Sequence, residues 1–376
     1  MLTYKYKLYS TKKTKELDVL ITSAGFIWNH IVALDRRYYR MFKKSIGSTK
    51  LQSHIAKKRK TNPFWLKLNS QTVQEICQRF ILAKERFFKG KAKRLPKFKK
   101  SKSFTSIVFK QSGYQLFDNQ ITINSIKKTF KFSLSREYKN VKNIRIKRNS
   151  MNEFFICFVC DVKPNTFKTR DGAIGIDFGL SQYITGSDGL KVDSPLFFKQ
   201  YQEHLAKAQK ELSTKVKGSN NRNKAKLKVA RVHKRISNLR DDFGWKLAHK
   251  LCKNYSYILL EDLNIEAMKR LWGKKVSDLS HSAFLSKLEH IATKYKTVVH
   301  KIDRWFPSSK QCFSCGNIKK DLELKDRVFV CECGYSECRD KNAALNILRE
   351  GILSLERSSQ TSFEALPVCI QESHAL

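Results

Sequence analysis

Four cysteines constrain this chain more tightly than any other feature. They stand as Cys312-x-x-Cys315 and, fifteen residues on, Cys331-x-Cys333. A glycine follows each pair, Gly316 and Gly334. Glycine accepts the backbone turn that aims two sulfurs the same way. Four thiolates at this spacing describe a closed, tetrahedral zinc site of the ribbon kind, with no open position for catalysis. The second pair is C-x-C rather than the commoner C-x-x-C, and Cys338, just beyond it, is read as a bystander. Between the pairs, KKDLELKDRVFV is predicted to form a short hairpin. Five of the ten cysteines fall within residues 312–338, a crowding that points to metal rather than to a disulfide framework.

Charge sets the second constraint. Lys and Arg total 75 against 33 Asp and Glu, a formal +42. Solubility needs far less. A polyanion is the natural partner, because each phosphate neutralised by a cation releases condensed counterions. The N-terminal MLTYKYKLYSTKK has no signal-peptide core, and the longest clear apolar run, FFICFVC, is too short to span a bilayer. The expectation is therefore a soluble cytoplasmic protein with no membrane partner, in a reducing compartment. With 376 residues, 41% of them apolar, the chain is long and apolar enough for two or three packed units, so wholesale disorder is excluded.

Hydrophobic periodicity divides the chain. Residues 1–10 alternate weakly, as a short strand would. Residues 14–42 repeat apolar positions at three and four (Leu17, Leu20, Ile21, Ala24, Ile27, Trp28), which predicts a helix. A second helix is predicted from Ser70, as N-cap, to Phe88. KKRK at 57–60 and GKAKRLPKFKKSKS at 90–103 read as basic loops. From Phe104 the period becomes two, over SFTSIVF, YQLF, QITIN, FKFSL, IRIKR and FFICFVCDV. A small β-barrel or sandwich built from 1–12 and 104–165, with a helical insert over 13–103, is the economical reading. Cys157 and Cys160 form a C-x-x-C, but on a strand they point to opposite faces and serve as packing residues. No tandem repeat is present.

Beyond Asp171 strands alternate with helices, which predicts an α/β layer. AIGIDFGLSQYITGSDGL gives two strands, YSYILLEDL and TVVHKI two more, and 281–296 an amphipathic helix. Residues 196–250 are helical, broken by GSNN at 218–221, with twelve Lys or Arg against the single acid Glu211 between 207 and 240. Leu227, Val232, Ile236 and Leu239 form only a thin apolar stripe there, so one face is free for phosphates. The last residues, from 356, read as a loose tail.

Three carboxylates stand in apolar settings. Asp177 ends AIGID, Glu261 ends YILLE, and Asp340 opens the helix-like RDKNAALNIL. A buried carboxylate without a partner is costly. Taken singly, each acid has an ordinary explanation: turn former, lysine partner, helix cap. Converging, the three acids would bind Mg²⁺ or Mn²⁺ through oxygen. Two such ions about 3.5–4 Å apart serve phosphodiester cleavage.

At these residues the chain resembles the TnpB (OrfB) family of insertion-sequence proteins, relatives of the type V CRISPR effectors. The resemblance is carried by GIDFGL (175–180), LEDLNI (260–265), PSSKQCFSCG…CECG (307–334) and RDKNAALNI (339–347), more weakly by WNHIVALDRRYYR, LNSQTVQEICQRFILAKERFF and LPKFKKSKSFTS, and covers about residues 1–350. It implies a multidomain α/β plus β fold. A split RNase H-like (RuvC) nuclease domain would occupy 166–305 and 337–355, with the zinc ribbon at 306–336 inserted before its last motif. The N-terminal β domain becomes a wedge and 13–103 a helical recognition insert. By matching motif, Asp177, Glu261 and Asp340 are implied as the metal-binding catalytic triad, and Arg339 as a contact to the scissile phosphate. The implied cofactors are Mg²⁺ or Mn²⁺, structural Zn²⁺ on Cys312, Cys315, Cys331 and Cys333, and a guide RNA from the transposon end. The implied target is double-stranded DNA beside a short motif; the sequence leaves the oligomeric state open, with a monomer favoured. Glu337 and Cys338 stand where such proteins often carry other residues, which touches the ribbon's local geometry and leaves the triad intact. A non-cutting guided repressor, a transposase using the same acids, and a miniature CRISPR effector are the competing expectations.

Overall fold

Strand β1 (Leu2–Lys7) opens the chain, and four helices follow it: α1 (Thr14–Phe42), α2 (Ser48–Thr61), α3 (Pro63–Leu66) and α4 (Ser70–Phe88). The computed structural model describes all residues except 101–102, 163–165, 265–266, 269, 271–272, 274–275, 277, 324–325 and 359–376. The chain divides into two units, Met1–Pro164 and Asn165–Leu376.

In the first unit the predicted strands appear as β2 (Ser106–Lys110), β3 (Tyr114–Phe117), β4 (Gln120–Ile123), β5 (Lys128–Lys131), β6 (Val141–Arg148) and β7 (Phe154–Cys160). They form an antiparallel four-stranded sheet, β1-β7-β6-β2, and a three-stranded sheet, β3-β4-β5. The predicted apolar stripe of α1 is buried from Leu17 to Ile31 and half-buried at Leu34, and Trp28 packs edge-on against Phe80 of α4. Tyr6, Phe132, Tyr138 and Phe158 fill the space between the sheets, with ring centroids 4.7–6.2 Å apart. The buried Arg148 ties β6 to α1 through an ion pair with Asp18 and donates to the Phe104 carbonyl at 3.1 Å. Cys157 and Cys160 are buried packing residues on β7.

Three sequence expectations change here. KKRK is not a loop but the last turns of α2, whose only buried residues are Leu51 and Ile55. So thin a stripe leaves little periodic signal to read. The N-cap of α4 is Asn69, whose Oδ1 accepts from Thr72 N at 2.8 Å, one residue before the expected Ser70. FFICFVC is also not the longest span-like segment. Among the described residues α1 alone is long and apolar enough to cross a bilayer, at a mean hydropathy of 1.5, but 56% of that window is buried in the protein, as in a core helix.

The second unit contains β8 (Ala173–Asp177), β9 (Gln182–Gly186), β10 (Lys191–Asp193), α5 (Phe197–Gln200), α6 (Gln202–Ser213), α7 (Asn220–Asn254), β11 (Tyr257–Glu261), α8 (His281–Tyr295), β12 (Val298–Ile302), β13 (Val328–Val330), β14 (Ser336–Cys338) and α9 (Arg339–Ser358). Strands pair in the order β10-β9-β8-β11-β12. The first three are antiparallel to one another, while β8, β11 and β12 run parallel. Ile174, Ile176, Ile258 and Leu260 pack with Leu247 and Leu251 of α7 and Leu288 and Ile291 of α8. On the other face Leu259 and Ile302 meet Ile347 of α9. Both faces of the parallel strands are therefore covered, which is why they read as unbroken apolar runs rather than alternating ones. Helix α7 begins at Ser219, whose Oγ accepts from Arg222 N, and buries few side chains, Ile236 and Leu247 among them. Helix α9 runs to Ser358, so residues 356–358 are helical rather than tail, and the rest of the expected tail lies outside the described residues.

Candidate functional site

The three acids are brought together by sheet register. Ile176 on β8 pairs with Leu260 on β11, so Asp177 and Glu261 come one residue beyond, side by side where the two parallel strands end. Side chains alternate along a strand, so Asp177 shares the face of Gly175, and Glu261 that of Leu259. That is the face on which α9 lies. A methyl group at Gly175 would sit 2.2 Å from the Ala344 carbonyl oxygen and 2.5 Å from Leu348 N, and one at Gly351 would sit 2.7 Å from Leu259 Cδ1. The two glycines thus let the α9 backbone rest directly on the sheet. Asp340 stands one turn before Ala344, in the first turn of α9, which carries it to the strand ends bearing Asp177 and Glu261.

Electrostatics register the convergence. Asp177 is pushed up to about 8, first by burial, then by the charges of Glu261 and Asp340; Arg339 and the Phe178 amide oppose the rise. The residue as a whole is half-buried. Burial raises Glu261 too, against a hydrogen bond donated by the Ser308 hydroxyl. Arg339 lies with Nε 3.8 Å from Asp340 Oδ1, while its Nη1 donates to the Glu323 carbonyl at 3.0 Å.

The cysteines form a tighter cluster. Their four Sγ atoms all lie within 4.8 Å of one another, with Cys312–Cys333 at 3.7 Å and Cys315–Cys331 at 3.6 Å. Four sulfurs about 2.3 Å from one tetrahedral centre stand about 3.8 Å apart, so the set fits a single ion. Gly316 and Gly334 take φ of +78° and +88°, the turn conformation expected of them. Cys338 lies on β14, outside the cluster. The hairpin is displaced from its expected position. Val328–Val330 pairs with Ser336–Cys338, so the second cysteine turn is itself the hairpin bend; the expected segment also includes residues 324–325, outside the described residues.

Among the described residues the four cysteines are the only group of three or more metal-ligating side chains placed together closely enough to hold one ion.

Three residues at this site escaped the sequence reading. Ser308 is buried against Glu261. Asn342 and Asn346, 0% and 1% exposed, face the loop that enters the cysteine cluster. Asn346 Nδ2 donates to the carbonyls of Ser308 (2.8 Å) and Gln311 (2.6 Å). Asn342 donates to Gln311 O at 2.8 Å and accepts from Phe313 N at 3.0 Å. Two asparagines at i and i+4 inside an otherwise small, apolar helix stripe were the available signal.

A profile described as "Probable transposase" (OrfB_IS605) matches residues 157–271, and one described as "Cas12f1-like, TNB domain" matches 281–347. A relative from Streptomyces pristinaespiralis, named "Putative RNA-guided DNA endonuclease", is 31% identical over 360 residues, spanning 93% of this chain and 89% of its own. TnpB-like protein L79 of Acanthamoeba polyphaga mimivirus is 28% identical over 230 residues, 56% of this chain and 44% of its own. The chain belongs to the TnpB family. The Escherichia coli K12 relative InsQ, named in the same words as the Streptomyces protein, is 28% identical and covers 87% of this chain and 86% of its own. Among solved structures, the Cas12f1–sgRNA–target DNA complex matches with a TM-score of 0.59 at 15% identity, over 90% of this chain and 83% of that one. At that identity the TnpB-family chain and Cas12f1 share a fold, with mixed sheets of the kind described above.

Proposed function

We propose that this chain is a guide-RNA-directed endonuclease that hydrolyses double-stranded DNA next to a short adjacent motif. The carrying observation is the pairing of Asp177 and Glu261 at matching ends of adjacent parallel strands, with Asp340 on the helix laid across them. The names of the relatives and the RNA and DNA of the Cas12f1 complex support the substrate class. In this reading 1–12 and 104–165 form a wedge domain and 13–103 a recognition insert. The split RuvC-like domain comprises 166–305 and 337–355. The order β10-β9-β8-β11-β12, antiparallel and then parallel, supports an RNase H-like sheet interrupted by a ribbon at 306–336.

Mg²⁺ or Mn²⁺ held by the three carboxylates would supply an activated water and charge stabilisation for the leaving oxygen. The protein's own groups do the rest. Asp177 must give up a proton to act as a ligand, and burial first, then the charges of Glu261 and Asp340, hold that proton up to about 8. The Ser308 hydroxyl holds one Glu261 oxygen. Arg339 offers a fixed positive charge beside the acids for the scissile phosphate. The basic face of α7 attracts nucleic-acid backbone. Zinc is the ion a four-thiolate set selects, and it would hold the ribbon in the form that Asn342 and Asn346 dock onto α9.

The test is Asp177→Ala, assayed in magnesium on DNA matched to the co-purifying RNA. Loss of the ligand set is expected to slow cutting by at least ~10³-fold, the equivalent of several kcal/mol, while RNA binding persists. Cutting that survives the substitution refutes the assignment.

A further inference from the structure

Trp305 is the most exposed large apolar side chain among the described residues, at 85%. Exposure alone means little, since single apolar side chains are common on protein surfaces. Its setting means more. The residue lies just after β12, whose last residue, Ile302, pairs with Glu261. In sheets with parallel strands, ligands bind outside the carboxyl ends, and the loop leaving β12 rises from that edge. Adjacent strands are about 4.8 Å apart, so this loop starts one strand from Glu261 and two from Asp177.

The loop is anchored on both sides of the indole. Before it, Arg304 pairs with the Asp262 carboxylate, and its Nε donates to the Asp262 carbonyl at 2.8 Å. After it, Phe306 packs on the small core of Leu259, Ile302 and Ile347, and Ser308 reaches Glu261. The Trp305 amide itself donates to Asp303 Oδ1 at 2.7 Å. Both anchors end on Glu261 or its neighbour, so the ring is presented to solvent by a braced turn at the rim of the acidic site. A rigid aromatic face beside a phosphodiester-cleaving centre is what an unpaired base stacks on, whatever its identity.

We propose that Trp305 is a stacking platform for an unpaired base of the DNA strand entering the acidic site, an inference that rests on the nuclease reading above. Stacking fixes the strand's register, so the phosphate next to the held base is the one presented to the acids.

The test uses the complex as purified with its own RNA, a matched DNA duplex and magnesium. W305A is expected to cut about ten-fold more slowly, the loss typical of one base stack, and W305F to stay within about three-fold of the parent. Thermal midpoints should be unchanged, because so exposed a ring contributes little packing. A parent that cuts and a W305A that cuts equally well overturn the proposal and spare the nuclease reading. That result would leave the indole as a contact for another protein. A lowered midpoint without rescue by W305F overturns it as well, by making the ring a structural element. A second arm is independent of cutting. In the Asp177→Ala protein, an oligothymidine is expected to quench indole emission, and adding W305F should remove that part of the quench. Equal quenching in the two proteins overturns the proposal even if the parent proves unable to cut.

Discussion

The cysteine cluster and the carboxylate triad both gather like-charged ligands, but over very different lengths of chain. The four cysteines lie between 312 and 333, and two tight turns aim them. The three acids lie between 177 and 340 and depend on a strand register and a helix crossing to meet. The cluster closes to within 4.8 Å. The three acids are each half-buried, so water can reach them. A closed set suits an ion that holds structure, and an open set suits ions that must admit water and substrate. The comparison also teaches where strain collects. The thiolates can share one ion at a single centre, whereas Asp177, enclosed by the fold and crowded by Glu261 and Asp340, retains a proton up to about 8.

The comparison can be broken most forcefully at the cysteines. Binding of a structural zinc contributes on the order of 10 kcal/mol of local folding free energy. Stripping the metal with a chelator, or Cys312→Ser, is expected to abolish amide-exchange protection across 311–338 and leave the β8–β11–β12 sheet protected. Collapse of protection in both regions would mean that the sheet depends on the ribbon.

Next in size is Asp177→Asn, which should stabilise the metal-free protein. The sign follows from the raised carboxyl. Between its unfolded value near 3.9 and about 8, the folded state holds a proton that the unfolded state has released, so stability falls as pH rises through that window. The asparagine variant is spared that fall. Its advantage should be small at pH 4 and complete above pH 8, amounting to a few degrees in thermal midpoint in EDTA. Equal midpoints at pH 8 would remove the charge-crowding argument.

How much of this was legible in the sequence follows the same division. The cysteine spacing and glycines disclosed the local site almost whole, apart from the hairpin, because the bend coincides with the second cysteine pair. Asp177 and Glu261 were legible as the ends of apolar runs and Asp340 as the start of a helix, but their meeting was not, since no sequence pattern gives the register of Ile176 opposite Leu260. Helices α1 and α4 were legible through broad apolar stripes. Helix α2 was not, with two buried residues under a basic surface. The family motifs carried the triad as a set. Ser308, Asn342 and Asn346 stood inside those motifs without a role, because their hydrogen bonds run 29–47 residues along the chain.

Those asparagines join the two regions and sharpen the comparison. Asn346→Ala removes two buried donors, and Ser308 O loses the partner shown for it, while Gln311 O keeps Asn342. The expected cost is about 1–3 kcal/mol of stability. Cleavage should also slow by about ten-fold as Ser308 loosens on Glu261, one decade being about 1.4 kcal/mol. Lost stability with full cleavage would separate the docking of the ribbon from the acidic site.

The central claim, that Asp177, Glu261 and Asp340 form one proton-linked cation site, is tested most directly by calorimetric Mn²⁺ titration across pH. A chain with a formal charge of +42 offers divalent cations few stray sites. The account predicts two ions per chain, an affinity that rises about ten-fold per pH unit up to about pH 8 and then levels, and loss of that binding in Asp177→Asn. Binding that is independent of pH and unchanged in Asp177→Asn would contradict it.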